Sequence, residues 1–356
     1  MSHTDPMKAG AEAASLVAAY LEMGLPIVQE PFSAAADELG LSPGFVISTA
    51  QALSQSGLLR KFGAFWDFRV AGLQGYLFGV VAHDKTAETA EWINSLGFVT
   101  HNYLRRHELN IWFTAILPGE RDAIELADEL DGRDIPFVAL AVVHRIKLRT
   151  SFAGTGERKN SKNYKNSPNI LHEVKRVMPP RECEVRSHCF SAPQKNIIAL
   201  LGDDLAIAPR PFTKIADLLE IDEDTLIVEL TKLRSAGVLR RIGASFDHKR
   251  AGFSANSLMA WNFTGSKGDA ETVVSPLPWV SHCYLRRLLA QNLRKPWTQN
   301  LFIMAHARDK DELEERERFL SSTFAPRNFV SMRTLKEYKK TSFRFTSWGY
   351  SPANSE

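Results

Sequence analysis

GLLRKFGAFWDFRVAG, residues 57–72, returns 180 positions later as GVLRRIGASFDHKRAG, residues 237–252, with eight of the sixteen positions identical. A match of that length marks a tandem duplication, and it extends outward on both sides. Upstream, Leu25-Pro26-Ile27 through Pro31-Phe32 matches Leu205-Ala206-Ile207 through Pro211-Phe212, and Ala36-Asp37 and Leu39 match Ala216-Asp217 and Leu219. Downstream, VTHNYLRR (99–106) matches VSHCYLRR (280–287) at six of eight positions. The offset then grows to 190 at Asn110 and Asn300, so the second copy carries an insertion over residues 288–299.

Each copy opens with helix signals. Pro31-Phe32-Ser33 starts a helix through Ala36 and Leu39, Gly40 ends it, and Ser42-Pro43 caps a second. Pro211-Phe212-Thr213 and Ile221-Asp222 repeat these signals. Helix, tight turn, helix and then the quoted stretch as a hairpin reads as a winged helix-turn-helix. Strand, helix, strand, strand, helix, strand follow at 73–82, 86–96, 98–107, 109–117, 120–130 and 137–148. The second copy repeats this at 255–263, 269–275, 279–287, 300–307, 310–322 and 328–336. That βαββαβ order is ferredoxin-like. The expected fold is therefore α+β, a tandem duplication of a winged helix-turn-helix plus a ferredoxin-like domain. The boundaries fall at 1–152 (helix-turn-helix 10–72), a linker at 153–190, and 191–356 (helix-turn-helix 191–252, βαββαβ 253–346). The two sheets, bare on one face, are expected to pair those faces.

Composition sets outer limits. A chain of 356 residues with 44% hydrophobic and 24% charged residues fits two ordinary folded domains. No apolar run approaches the ~20 residues of a membrane span. The first residues lack the basic and apolar regions of a secretory signal, and the expected compartment is the cytoplasm. Three cysteines, Cys183, Cys189 and Cys283, do not build a disulfide framework. Cys183, His188 and Cys189 fit no standard zinc spacing, so no metal site is expected. Residues 153–190 hold eight Lys/Arg and four Asp/Glu, so the rest of the chain carries −1 of the overall +3. The candidate recognition helix of the first copy, 42–55, has no Lys or Arg, and its counterpart, 222–234, has a net charge of −2. DNA binding draws on cations facing phosphate, so DNA is not the expected partner.

The His-Tyr phrases carry the chemistry. On a strand, the period of two sends His101, Tyr103 and Arg105 to one face, with His107 next in the row. His282, Tyr284 and Arg286 do the same in the second copy. Neighbours in each row should stand about 6.6–6.8 Å apart. Histidine exchanges protons near neutrality, and a guanidinium grips a carboxylate with two hydrogen bonds. The rows read as paired sites for an anionic ligand. Arg106 and Arg287 point to the opposite face, where a salt bridge to the helices competes with a ligand role. His306 shares a strand face with Asn300, Phe302 and Met304, and its first-copy equivalent is Ile116. Only the second copy has Trp297, in the insertion, able to cover a flat ring or to serve as a packing anchor. That asymmetry favours the second copy as the reacting one. Lys147, Arg149, Lys336, Lys339 and Lys340 make the strand ends basic.

A winged helix-turn-helix followed by βαββαβ resembles the Lrp/AsnC architecture. GLLRKFGAFWD with VTHNYLRRHELNIWFTAI resembles one subunit type of the siroheme decarboxylases, and GVLRRIGASFD with VSHCYLRR and KPWTQNLFIMAHA resembles the other. The chain is similar to a fused pair. The resemblance implies removal of CO2 from the C12 and C18 acetates of siroheme, giving 12,18-didecarboxysiroheme in heme and heme d1 biosynthesis. It implies no organic cofactor, an iron tetrapyrrole as substrate with heme a further candidate ligand, and an intramolecular pseudo-dimer that could pair again as a homodimer. His101, His282, Tyr284 and His306 are then the catalytic candidates. Tyr103, Arg105, His107, Arg286, Arg287, Trp297 and Lys336 are the substrate-binding ones. Two departures stand out: Leu109 and Gln299 precede the strand Asn where the family has Tyr, and Ala307 follows His306 where it often has Gly. The alternatives are a tetrapyrrole-responsive regulator of the Lrp/AsnC type and a non-catalytic tetrapyrrole-binding protein.

Overall fold

The computed structural model describes residues 6–148, 190–202, 204–324, 329–341 and 343. All of the expected linker except Phe190, including Cys183, His188 and Cys189, lies outside the described residues, as does Arg149. In chain order the first copy forms α1 (Pro6–Met23), α2 (Pro31–Leu39), α3 (Pro43–Gln55), β1 (Leu59–Trp66), β2 (Gln74–Val80), α4 (Thr86–Ser95), β3 (Val99–Arg105), β4 (Ile111–Leu117), α5 (Glu120–Gly132) and β5 (Phe137–Leu148). The second forms α6 (Ala192–Leu200), α7 (Thr213–Leu218), α8 (Glu223–Ser235), β6 (Leu239–Phe246), β7 (Ala255–Trp261), α9 (Lys267–Val274), β8 (Val280–Gln291), β9 (Leu301–Ala307), α10 (Lys310–Thr323) and β10 (Val330–Lys340). No helix among the described residues is long and apolar enough to cross a membrane.

These elements gather into two compact units, and each unit draws on both copies. One holds the helix-turn-helix parts, up to Ala71 and on to Ala251; the other holds the βαββαβ parts, from Gly72 and from Gly252. The compact units cut across the two copies.

In the first unit the local signals act as their chemistry dictates. Pro31 opens α2, Gly40 closes it in the left-handed conformation at φ 66, and the Ser42 hydroxyl accepts from the Phe45 N–H to cap α3. Asp222 caps α8 by accepting from the Thr225 N–H at 2.7 Å. The expected hairpin inside each copy is corrected here. β1 pairs antiparallel with β6 of the other copy, with Gly63 opposite Gly243. Glycine is required at this crossing for a steric reason. A Cβ on Gly243 would stand 2.4 Å from the Leu21 carbonyl oxygen and 3.0 Å from the Gly24 Cα, so only glycine lets α1 approach this crossing. Gly243→Ala should cost about 2–3 kcal/mol through overpacking and lower Tm by about 5–10 °C in a thermal melt. An unchanged melt would mean that the strand can shift away from α1.

The second unit is a closed antiparallel barrel in the order β10-β3-β4-β2-β5-β8-β9-β7. Each half keeps the ferredoxin-like order, β5-β2-β4-β3 and β10-β7-β9-β8. The bare faces meet as expected, and the halves also join by their edges: β5 pairs with β8, and β10 with β3. Two open sheets leave four edge strands with unpaired backbone groups, and joining both pairs of edges satisfies them all. Residues of alternate parity then divide cleanly. Phe113 and Ile303 pack outward with the helices of their own halves. Trp112, Val138, Phe302 and Met332 form a shared core on the inner faces.

The repeated Asn110 and Asn300 are ties within this barrel. Asn110 Oδ1 accepts from the Ala82 N–H at 2.8 Å, and Asn300 Oδ1 from the Phe263 N–H at 2.7 Å. Their backbone carbonyls accept from the N–H groups of Arg105 and Arg286, both at 2.7 Å, which holds the two arginines in register.

Candidate active site

β3 and β8 carry the repeated phrases and stand on opposite sides of the barrel, four strands apart in the ring. Which way each row points follows from its neighbours. Asn102 donates to the Ala90 carbonyl of α4 at 3.2 Å and Leu104 packs on the outer core, so His101, Tyr103 and Arg105 face inward. Cys283 and Leu285 pack outward, so His282, Tyr284 and Arg286 face inward too. Burial pushes the Cys283 thiol up to about 12, which keeps it protonated and unreactive.

The rows have near-identical geometry. The His and Tyr ring centroids are 6.2 Å apart in both copies, close to the alternate-residue spacing of a strand. The Arg105 guanidinium lies 5.1 Å from the Tyr103 ring centroid, and that of Arg286 lies 4.9 Å from Tyr284. Both arginines are buried, 4% and 8% exposed. Burial pushes each down to about 10, partly opposed by its tyrosine, and leaves both cationic at neutral pH.

Their partners differ. Arg105 Nη1 donates to the Met332 carbonyl at 3.1 Å and to Thr334 Oγ1 at 2.9 Å, and its Nε is buried without an acceptor among the described residues. Across the other seam Val142 faces Arg286 where Thr334 faces Arg105, and Val142 has no hydroxyl. Arg286 is left with both Nε and Nη1 buried and without an acceptor among the described residues. A buried charge with open donors costs several kcal/mol unless something anionic arrives. The second-copy row thus keeps more open donors than the first.

The groups behind the histidines differ as well. His101 Nδ1 contacts Thr100 Oγ1 at 2.9 Å. His282 Nδ1 contacts Ser281 Oγ at 2.7 Å, and the same hydroxyl contacts His306 Nε2 at 2.8 Å. Ile116 stands in the place of His306 in the first copy. The cross-seam neighbours add a charge difference: Glu337 lies opposite Tyr103, and half-buried Arg145 lies opposite Tyr284. Arg145 was missed in sequence. Its alternation with Ile146, which packs in the outer core, places it on the inner face, but only the seam reveals β8 as its neighbour.

Several predicted site residues are placed elsewhere. Arg287 pairs with Glu120 of α5 on the helical side. Lys336 stands opposite Leu104, away from the inner row, with its ammonium 4.8 Å from the Tyr338 ring centroid. Lys147 donates to the Val274 and Leu277 carbonyls, and Lys339 to those of Asn94 and Leu96. Those lysines cap helix C-terminal ends, where the dipole favours cations. β3 ends at Arg105, so His107 leaves the row: its Nδ1 accepts from the Leu109 N–H, and its ring meets Trp297 edge-on at 6.0 Å. Burial pushes His107 below its ordinary value. Trp297 belongs to the inner core, 5.3 Å from Trp112 and stacked on Phe302 at 6.2 Å, and anchors the insertion there. No cluster of three or more metal-ligating side chains occurs among the described residues.

A duplicated barrel whose inner faces carry buried cations beside histidines, in a chain with helix-turn-helix modules, is a ligand-binding α+β protein of the AsnC class. Residues 75–135 and 250–339 match the model of the AsnC-like ligand binding domain, and residues 19–60 and 194–240 that of the siroheme decarboxylase NirDL-like HTH domain. A siroheme decarboxylase of Hydrogenobacter thermophilus is 28% identical over 333 residues, covering 92% of this chain and 93% of that one. The siroheme decarboxylase beta subunit of Methanosarcina barkeri is 30% identical over 150 residues, 42% of this chain and 95% of that protein. A crystal structure of the siroheme decarboxylase NirDL in co-complex with an iron-uroporphyrin III analogue has the same fold, with a TM-score of 0.65 and 22% identity over 93% of this chain and 94% of that one. The chain belongs to the siroheme decarboxylase family.

Proposed function

We propose that this protein is a carboxy-lyase that removes CO2 from the C12 and C18 acetate side chains of siroheme, giving 12,18-didecarboxysiroheme. The observation that carries the reading is Arg286, a buried guanidinium with two unengaged N–H donors in line with Tyr284 and His282. Arg286 grips a carboxylate of the substrate and fixes its orientation, and Arg145 adds a second positive charge. Loss of CO2 leaves an electron pair at the side-chain carbon, which the tetrapyrrole accepts once a pyrrole carbon has been protonated. No organic cofactor is needed. His282, backed by His306, supplies the protons, and Tyr284 orders the ligand between imidazole and guanidinium. The first-copy row, with His101, Tyr103, Arg105 and the adjoining His107, serves binding in this scheme because Thr334 and Met332 already engage its arginine. The cytoplasm is the proposed compartment.

A DNA-binding regulator is the weaker reading. In α8, Lys232 is paired with Glu229, and Arg234 donates to the Arg240 carbonyl, so its cations are already engaged. Anaerobic incubation of the pure protein with siroheme tests the choice by product mass. The expected result is a loss equal to two molecules of CO2. Tight binding at unchanged mass would instead make the protein a carrier.

A further inference from the structure

Ser281 sits between two imidazoles. Its Oγ lies 2.7 Å from His282 Nδ1 and 2.8 Å from His306 Nε2, both ordinary hydrogen-bond distances. His306 is 5% exposed, on β9, with its backbone carbonyl held by Arg316 of α10. One hydroxyl proton cannot serve two acceptors at once. The same hydroxyl lies 3.5 Å from the Met304 carbonyl; in the shorter contacts, with the imidazoles, it can donate to one histidine while accepting from the other.

We infer that Ser281 is a positioning residue that relays a proton from His306 to His282, so that His282 can protonate the carbon vacated by CO2. The inference rests on the decarboxylase reading and deepens it. Each acetate that loses CO2 passes the electron pair of the broken C–C bond to the tetrapyrrole, and a net one proton must reach the side-chain carbon, where that pair returns as the C–H bond of the methyl group. His282 enters as the Nε2–H tautomer and gives that proton to carbon from Nε2. Its Nδ1 takes the Ser281 hydroxyl proton as this happens, and Ser281 Oγ takes the Nε2 proton of doubly protonated His306. The step ends with His282 neutral as the Nδ1–H tautomer, the Ser281 hydroxyl restored and His306 neutral. One proton has moved to one carbon, and no oxidant or reductant is involved. Without the relay, His282 would have to become an anion to give up a proton from its neutral form, a far costlier step at neutral pH.

The first copy provides an internal comparison. Thr100 Oγ1 contacts His101 Nδ1 at 2.9 Å, but Ile116 replaces the second imidazole, so the hydroxyl has no proton source behind it. It also shows that threonine fits beside this histidine.

Ser281→Ala, Ser281→Thr, His306→Gln and the Ser281→Ala/His306→Gln double variant test the relay. Activity on siroheme is read as kcat and KM separately, and histidine ring nitrogens are followed by ¹⁵N NMR in the protein without substrate. Ser281→Ala should lower kcat about 10–100-fold, leave KM within about twofold, and be largely restored by Ser281→Thr. The double variant should lose no more than the worse single one, because both residues act in one chain. The Nδ1 signal of His282 and the Nε2 signal of His306 should both move in Ser281→Ala. Additive losses, or wild-type kcat in Ser281→Ala, would overturn the relay. A wild-type protein that leaves siroheme intact while the NMR response persists would overturn the decarboxylase reading and leave the hydrogen-bonded chain standing.

Discussion

Arg286→Met should lower the affinity for siroheme about 30- to 4,000-fold, since losing one partner of a desolvated charge pair costs about 2–5 kcal/mol. The free protein should not be weakened. Arg286 has two buried donors without acceptors and sits opposite Val142. Exchanging such a charge for an apolar side chain of similar length is neutral or stabilising, so Tm should stay or rise by a few degrees. Arg105→Met gives the opposite pattern. It breaks the hydrogen bonds to the Met332 carbonyl and to Thr334 Oγ1, which should cost about 1–3 kcal/mol of stability with a smaller loss of affinity. Optical titration with siroheme and thermal melts of both variants make the comparison. If Arg286→Met destabilised the fold and Arg105→Met did not, the assignment of the open arginine to the second copy would be wrong.

The second large effect lies with His282. His282→Ala should reduce kcat by about 10²–10⁴-fold, the usual contribution of a positioned proton donor, with KM changed far less. His101→Ala, at the matching position of the first row, should cost under about tenfold in kcat. The rows differ in what stands behind the imidazole: Ser281 and His306 in one, Thr100 and Ile116 in the other. Steady-state measurements under anaerobic conditions give kcat, and single-turnover measurements isolate the chemical step. Equal losses in the two variants would mean that both rows perform chemistry and that the asymmetry concerns binding alone.

Much of this site is legible in the sequence because its signals are local. Period-two alternation places His101, Tyr103 and Arg105 on one face wherever the strand goes, and the same holds for His282, Tyr284 and Arg286. Ser42, Gly40 and Asp222 mark helix ends because their side chains, or the absence of one, act within a few residues. His107 is misplaced by the same rule, because alternation holds only while the strand lasts and β3 stops at Arg105. Arg287 takes the helical salt bridge that its parity allowed, with Glu120, and Lys336 is misplaced because parity does not name the partner, here the Tyr338 ring.

The sequence by itself determined the duplication, the element order of each copy, the inward rows and the chemical inequality between His306 and Ile116. Only the tertiary structure decided how the copies are joined. β1 crosses to β6, and β5 and β10 close the barrel against β8 and β3. Strand pairing between copies is a contact across more than a hundred residues, made by backbone groups that every sequence carries, so no local pattern specifies it. Yet those seams set Thr334 against Arg105, Val142 against Arg286 and Arg145 against Tyr284. One arginine is thereby engaged by the protein, and the other is left with its donors open.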